Sequence, residues 1–220
     1  FKNIKFDLVV TDTSSSEEDI KKIKEILIRS KFENKFISIK LEDFKNKIKP
    51  GYSKAKFSNM ANFYSSLMIA NKDEADIIYF VEDDYLHSED SITEMIFTYE
   101  KLSTIFSKDL VLLPADYPYL YSKDDATKIY LGEKYHWRMV SESLVTFMTS
   151  RKIIKENYSD LEKMGIEWTD PWEKPLHEIY NSYPCLSPIP SLAIHCANIN
   201  SVFGVSPFIN LKKLWDDNEN

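Results

Sequence analysis

Ile77-Ile78-Tyr79-Phe80-Val81-Glu82-Asp83-Asp84-Tyr85 is the stretch on which the reading of this chain turns. Its five leading residues are apolar or aromatic and predict a buried strand, and three carboxylates follow where that strand should end. Adjacent acids repel one another, and burying them is costly unless a cation neutralises them. A divalent ion such as Mg²⁺ or Mn²⁺, which favours hard oxygen ligands, is the simplest partner. Open α/β sheets bind ligands beyond the carboxyl ends of their strands, so the acids stand where a metal and a phosphate would be held. In an extended strand Glu82 and Asp84 share a face and Asp83 points away. The plainer alternative is an acidic helix start, since Ser88-Glu89-Asp90 predicts a helix soon after.

Outward from this strand, the pattern before it alternates. Phe6-Asp7-Leu8-Val9-Val10 predicts a buried strand closing at Asp12. Ser16-Glu17-Glu18-Asp19 supplies a cap and first-turn acids for a helix to about Ser30, with Ile20, Ile23, Ile26 and Leu27 as its stripe. A strand over roughly Lys35–Leu41, a polar and basic loop over 42–56, and a helix over Ser58–Asn71 with Met60, Phe63, Leu67 and Met68 inward come next. After the acidic strand, a helix reaching Phe106 and a strand at Leu110–Leu113 complete a βαβ succession, which predicts a mainly parallel sheet flanked by helices. Beyond Ala115 tyrosine-rich loops lead to an apolar segment at Leu144–Met148, a helix over Arg151–Met164 and a short helix near Leu176–Tyr180. Pro184, Pro188, Pro190 and Pro207 predict an extended C-terminal tail on the surface.

Composition narrows the function. Among 220 residues, 35 acids against 28 Lys and Arg give a net charge of −7, which argues against a nucleic-acid partner. Four glycines leave no glycine-rich phosphate loop. No apolar run approaches the roughly 18 residues of a transmembrane helix, and no signal peptide opens the chain. Cys185 and Cys196 suggest a reducing compartment more than a disulfide, and a cytoplasmic location is expected. Lys21-Lys22 and Lys45–Lys49 read as solvated surface, at most touching anionic lipid at a membrane's inner face.

The order of elements resembles a GT-A glycosyltransferase, especially the bacterial and viral relatives of family 2. Glu82-Asp83-Asp84 resembles the family's DxD-type motif. Ser187-Pro188-Ile189-Pro190-Ser191-Leu192-Ala193-Ile194-His195 resembles the late segment whose histidine completes the metal site. Trp168 to Tyr180 lies where the family carries its catalytic-base motif, with Trp172-Glu173 in place of the usual pair. Phe6 to Ser16 looks like the family's second strand; the first strand, with its nucleotide contact, has no counterpart here, so a missing N-terminal strand is expected. The resemblance implies one GT-A (Rossmann-like) domain, with a nucleotide-binding half over 1–114 and an acceptor-side half and tail over 115–220, and it leaves open that the chain is one module of a larger enzyme.

For function, the resemblance implies a metal-dependent transfer of sugar from a UDP-, GDP- or CDP-sugar to a hydroxyl of a glycan or glycoconjugate, with inversion. Asp84 and His195 would hold Mn²⁺ or Mg²⁺, and Glu82 and Asp83 would meet the nucleotide-sugar. Asp12 would accept from the base or ribose, against a plain turn or N-cap role. Asn62, with Asn59, would line the nucleotide pocket. Arg138, with Lys134, would neutralise the diphosphate. Glu173 is the expected general base and Asp170 its competitor, although Asp170 with Pro171 could instead cap the following helix. Trp168 and Trp172 could pack an indole face on a pyranose. His195 on residue type alone reads as a structural histidine. The rival classes are a sugar-phosphate nucleotidyltransferase and a non-catalytic carbohydrate-binding domain of the same fold.

Overall fold

The computed structural model describes residues 4–122, 127–197, 199–200, 205–206 and 209–219. In chain order its first elements are β1 (Asp7–Asp12), α1 (Glu17–Arg29), β2 (Glu33–Ser38), α2 (Lys54–Lys72), β3 (Ile77–Phe80), β4 (Tyr85–His87) and α3 (Ser91–Phe106). There follow β5 (Val111–Leu112), β6 (Ile129–Leu131), β7 (His136–Met139), β8 (Phe147–Ser150), α4 (Arg151–Glu156) and α5 (Tyr158–Met164). The last are α6 (Lys174–Ile179), β9 (Cys185–Ile189), β10 (Ala193–His195) and α7 (Leu211–Glu219). These elements form two compact units, one of Phe1–Lys72 with Tyr158–Trp172, the other of Asp73–Asn157 with Glu173–Asn220. The division expected at residue 114 falls inside the second unit. No helix among the described residues is long and apolar enough to cross a membrane.

In the first unit β1 and β2 pair in parallel from Asp7↔Glu33 to Asp12↔Ser38, with α1 as the crossover. Ser16 caps α1, its hydroxyl accepting from the Asp19 amide at 3.2 Å. The expected stripe of α1 is narrower than its sequence, for Leu27 is buried but Ile26 is 67% exposed. Helix α2 starts four residues earlier than its apolar periodicity predicts and takes Lys54 and Lys56 into its first turn. Met60, Phe63 and Leu67 are buried on it, and Tyr64 donates to Glu162 of α5 at 2.9 Å.

The second unit is built on a six-stranded sheet ordered β3-β8-β5-β9-β7-β6, beside a two-stranded ribbon of β4 and β10. The expected mainly parallel sheet does not form here. Only β5–β9 is a parallel neighbour pair, while β3–β8, β8–β5, β9–β7 and β7–β6 are antiparallel. The crossover through α3 does keep β3 and β5 pointing the same way. What sequence periodicity does not reveal is that β8, from far downstream, inserts between them. The sheet's core is Leu110, Leu112, Met148 and Leu186, covered by Met95 and Leu102 of α3 and by Trp137.

The extended surface tail expected from its prolines is corrected as well. Cys185–Ile189 is an interior strand, buried from Cys185 through Pro188. The carbonyls of Pro184 and Leu186 accept from Val111 and Leu113, while that of Cys185 accepts from Val140. By alternation Pro188 turns its missing N–H toward the β5 side, where the ladder has already ended, so the ring interrupts no pairing. The chain then closes with α7, and Pro207 lies outside the described residues.

The predicted helix over 151–164 is two helices, α4 and α5, parted at Asn157, whose side-chain amide donates to the Ile153 carbonyl at 2.9 Å. The β6–β7 hairpin is fixed by one carboxylate. Glu94 of α3 is 1% exposed and accepts from Thr98 Oγ1 (2.8 Å), Trp137 Nε1 (3.1 Å), Lys134 N (2.8 Å) and Tyr135 N (3.3 Å). Gly132 completes the corner, since a Cβ there would lie 2.3 Å from Trp137 Nε1. Replacing Glu94 by Ala strands several buried donors, each costing about 1–3 kcal/mol. The expected outcome is a loss of about 3 kcal/mol or more, read as a lower urea midpoint at unchanged slope.

Candidate active site

Strands β3, β5 and β9 share one direction, because β8 is antiparallel to both β3 and β5 and β9 is parallel to β5. Their carboxyl ends therefore open on the same edge of the sheet. From β3 the chain turns through Glu82-Asp83-Asp84 into β4, and from β9 it turns through Pro190 into β10. The two continuations pair antiparallel, with Ala193↔His87, Ile194↔Leu86 and His195↔Tyr85. Cys196 N donates to the Asp84 carbonyl at 2.7 Å and Ser88 N to the Leu192 carbonyl at 2.8 Å, closing the ribbon at both ends. The Pro114 carbonyl, just past β5, accepts from Leu192 and Ala193 at 2.8 and 3.0 Å. Since β4 separates the acids from α3, the helix-start reading of the cluster does not apply.

This ladder brings His195 Nε2 to 3.0 Å from Asp84 Oδ2, across 111 residues of sequence. As a hydrogen bond this contact places an imidazole proton on Nε2, and a metal taking Nε2 as a ligand would have to displace that proton. The other side-chain atoms of the pair, Asp84 Oδ1 and His195 Nδ1, are buried without a hydrogen-bond partner among the described residues. Burial alone would lower the His195 pKa, but its hydrogen bond to Asp84 and the negative charges of Asp84 and Glu82 outweigh it, and the imidazole is raised. Glu82 is half-buried beside Asp84, whereas Asp83 is exposed. Burial, then the Asp84 charge, push the Glu82 carboxyl up to about 7, against the opposing pull of Thr146 and His195. The Tyr85 ring lies against His195 with centroids 5.0 Å apart, and its hydroxyl meets that of Tyr117 at 2.6 Å.

Glu173 belongs to the same unit and adds to the upward shift of Glu82. Burial raises its own carboxyl above the usual 4.5, with its backbone amide and His177 opposing. It occupies the N-cap position of α6, yet its side chain makes no capping bond. Asp170 lies in the first unit, exposed, three residues before that cap. The capping role expected as an alternative for Asp170 therefore does not arise.

A cation can be tested against this donor set. Asp84 Oδ2 and His195 Nε2 converge to 3.0 Å, and with the shared proton displaced they would offer one oxygen and one imidazole nitrogen to a divalent ion. Among the described residues no group of three or more His, Cys, Asp or Glu side chains could hold a metal together. The pair thus fits a hard cation that takes its other ligands from water and substrate phosphate, as Mg²⁺ commonly does.

Most of the remaining sequence expectations have partners of their own within their units. Arg138 is buried in β7, where Nε and Nη2 donate to Asp116 Oδ1 at 2.9 and 2.8 Å. Ser187 Oγ donates to the same oxygen, Tyr121 donates to Oδ2, and the guanidinium lies 4.2 Å from the Tyr121 ring centroid. Arg138 is therefore an internal counter-ion, in place of the diphosphate clamp expected. Lys134 Nζ is solvent-exposed, 3.8 Å from Asp90. In the first unit, Asp12 Oδ1 accepts from Ser15 N at 3.2 Å and from Ser15 Oγ at 2.5 Å, which is the plain turn role. Asn62 Oδ1, on α2, is buried without a partner among the described residues, and Asn59 is exposed. Trp168 is engaged by its own unit: Trp172 stacks on it at 4.8 Å and 4°, and Lys56 Nζ lies 4.4 Å from its centroid. Cys185 and Cys196 are both free thiols.

Sequence reading missed Asp116, Thr146 and the Tyr85–Tyr117 pair. Asp116 carries one usable signal, an acid just past a strand end like Glu82; Thr146 and the tyrosines carry none. No protein-family model matches this chain, and neither does any curated protein.

Removing the Asp116 carboxylate leaves a buried guanidinium without its partner. Asp116→Ala is expected to cost about 3–5 kcal/mol, and the double change Asp116→Leu with Arg138→Met to recover most of it, as thermal unfolding would report.

Proposed function

We propose that this chain is a metal-dependent glycosyltransferase of GT-A type, transferring a sugar from a nucleotide-sugar to a hydroxyl of a glycan or glycoconjugate. The observation that carries the proposal is the Asp84–His195 pair, assembled at the carboxyl ends of same-direction strands and left with buried polar atoms unsatisfied. Supporting it is a second carboxylate in the same unit, Glu173, held partly out of water without a structural hydrogen bond of its own side chain to the helix it starts.

In this reading Asp84 and His195 would hold Mn²⁺ or Mg²⁺, with the proton of their hydrogen bond displaced. The bound metal supplies Lewis-acid stabilisation of the departing nucleoside diphosphate. Arg138 contributes nothing to that charge balance, because Asp116 neutralises it. Glu173 accepts the proton of the acceptor hydroxyl as that oxygen attacks the anomeric carbon, and the upward shift that burial gives its carboxyl makes it a stronger base. Attack from the face opposite the leaving group gives inversion. The sugar platform expected of Trp168 and Trp172 supports neither this reading nor the carbohydrate-binding rival, since the two indoles stack on one another.

Calorimetric titration of UDP, GDP and CDP with Mn²⁺, then with EDTA, tests the proposal. One nucleotide should bind with the metal and be released by EDTA, and Asp84→Ala should abolish that binding. Equal binding in EDTA would overturn it. With the donor identified, Glu173→Gln should lower kcat by about 10²–10⁴-fold with little change in donor KM. Because a base must be deprotonated, wild-type kcat/KM should fall as pH drops through the Glu173 pKa, at a midpoint above the ordinary 4.5. A pH profile flat to below that value would remove Glu173 from the role.

A further inference from the structure

The acidic turn is gripped by a single hydroxyl from a strand far along the chain. Thr146 is wholly buried, immediately before β8. The β3–β8 register ends at Phe80↔Phe147, which sets Thr146 against the first residues after β3. There its Oγ1 accepts from Glu82 N at 3.1 Å and donates to Glu82 Oε2 at 3.2 Å. A hydroxyl has one proton and two lone pairs, so both bonds are made at once, with the direction of each fixed. Thr146 therefore ties down the backbone of the turn at its first residue and orients the carboxylate that shares a flank with Asp84. The methyl group, in a buried β-branched side chain, restricts χ1 and holds the hydroxyl in place.

We infer that Thr146 is a positioning residue for the metal and donor site, acting through Glu82 to set the Glu82-Asp83-Asp84 turn. This rests on the metal-dependent reading of Asp84 and His195. Residues that orient metal ligands from behind commonly change metal affinity by about 10–100-fold when their hydrogen bonds are removed. Valine matches threonine in shape and lacks the hydroxyl, whereas serine keeps the hydroxyl and lacks the methyl group. The two substitutions separate hydrogen bonding from packing.

The test is Mn²⁺ affinity, measured by the loss of the free-ion paramagnetic resonance signal on wild type, Thr146→Val and Thr146→Ser, each checked for folding by circular dichroism. The nucleotide identified by calorimetric titration is present throughout. Thr146→Val should weaken Mn²⁺ binding at least tenfold, and Thr146→Ser should stay within about threefold of wild type. Wild-type affinity in Thr146→Val, or an equal loss in both variants, would overturn the assignment while leaving the metal site standing. If Thr146→Val does not fold, Thr146→Ser decides: a tenfold loss there refutes the hydroxyl's role, and near-wild-type affinity supports it. Absence of Mn²⁺ binding by wild type itself would instead overturn the metal reading, and this assignment with it.

Discussion

The antiparallel ribbon of β4 and β10 is the constraint on which the site depends. Neither strand belongs to the six-stranded sheet, and each is only three residues long. Their pairing nonetheless joins the segment after β3 to the segment after β9, although β8 and β5 separate those two strands in the sheet. Without it the acids after Phe80 and the histidine after Ile194 would sit on unrelated loops. Closing so long a loop costs conformational entropy, and the ribbon's backbone bonds with the Pro114 carbonyl hold it closed. Side-chain chemistry is then set by register, because His195↔Tyr85 leaves Asp84 as the next residue toward the turn.

Two buried carboxylates with different settings divide the remaining work. Glu94 answers its charge with four hydrogen-bond donors and holds a hairpin. Asp116 answers its charge with a guanidinium and ties the segment after β5 to β7 and β9. Glu82 has neither arrangement. Thr146 gives it one hydroxyl and one return bond, while burial and Asp84 push its carboxyl upward. A fold that satisfies its structural acids so fully, yet leaves one polar atom each of Asp84 and His195 without a partner among the described residues, points to this pair as functional rather than structural.

The sequence makes legible mainly the features that are local. The acidic strand end, the Ser16 cap and the burial of Met60, Phe63 and Leu67 on α2 are written within a few positions of themselves and form where their patterns say, whereas Met68, expected inward with them, is only half-buried. The insertion of β8 between β3 and β5 is not local, so a correct alternation of strands and helices still predicts the wrong pairing. Pro188 misleads for a related reason. Its missing N–H matters only on the side where a neighbour runs, and that neighbour's length is set elsewhere.

The site residues divide along the same line. Glu82 and Asp84 are visible because three acids after an apolar run need an explanation wherever they stand. His195 is not visible from its own surroundings, which describe an ordinary buried histidine, and only a resemblance raises it. Arg138 shows the converse error, for a basic residue near a suspected anion site invites pairing with the anion. Its true partner, Asp116, lies 22 residues upstream, beyond any helical or strand spacing that could have revealed it. Trp168 and Trp172 fail similarly: two aromatics near a suspected sugar site read as a platform, yet their nearest available surface is each other. Charge and aromaticity thus mark where chemistry can occur, but which group is free to perform it is decided by contacts that only the folded chain makes.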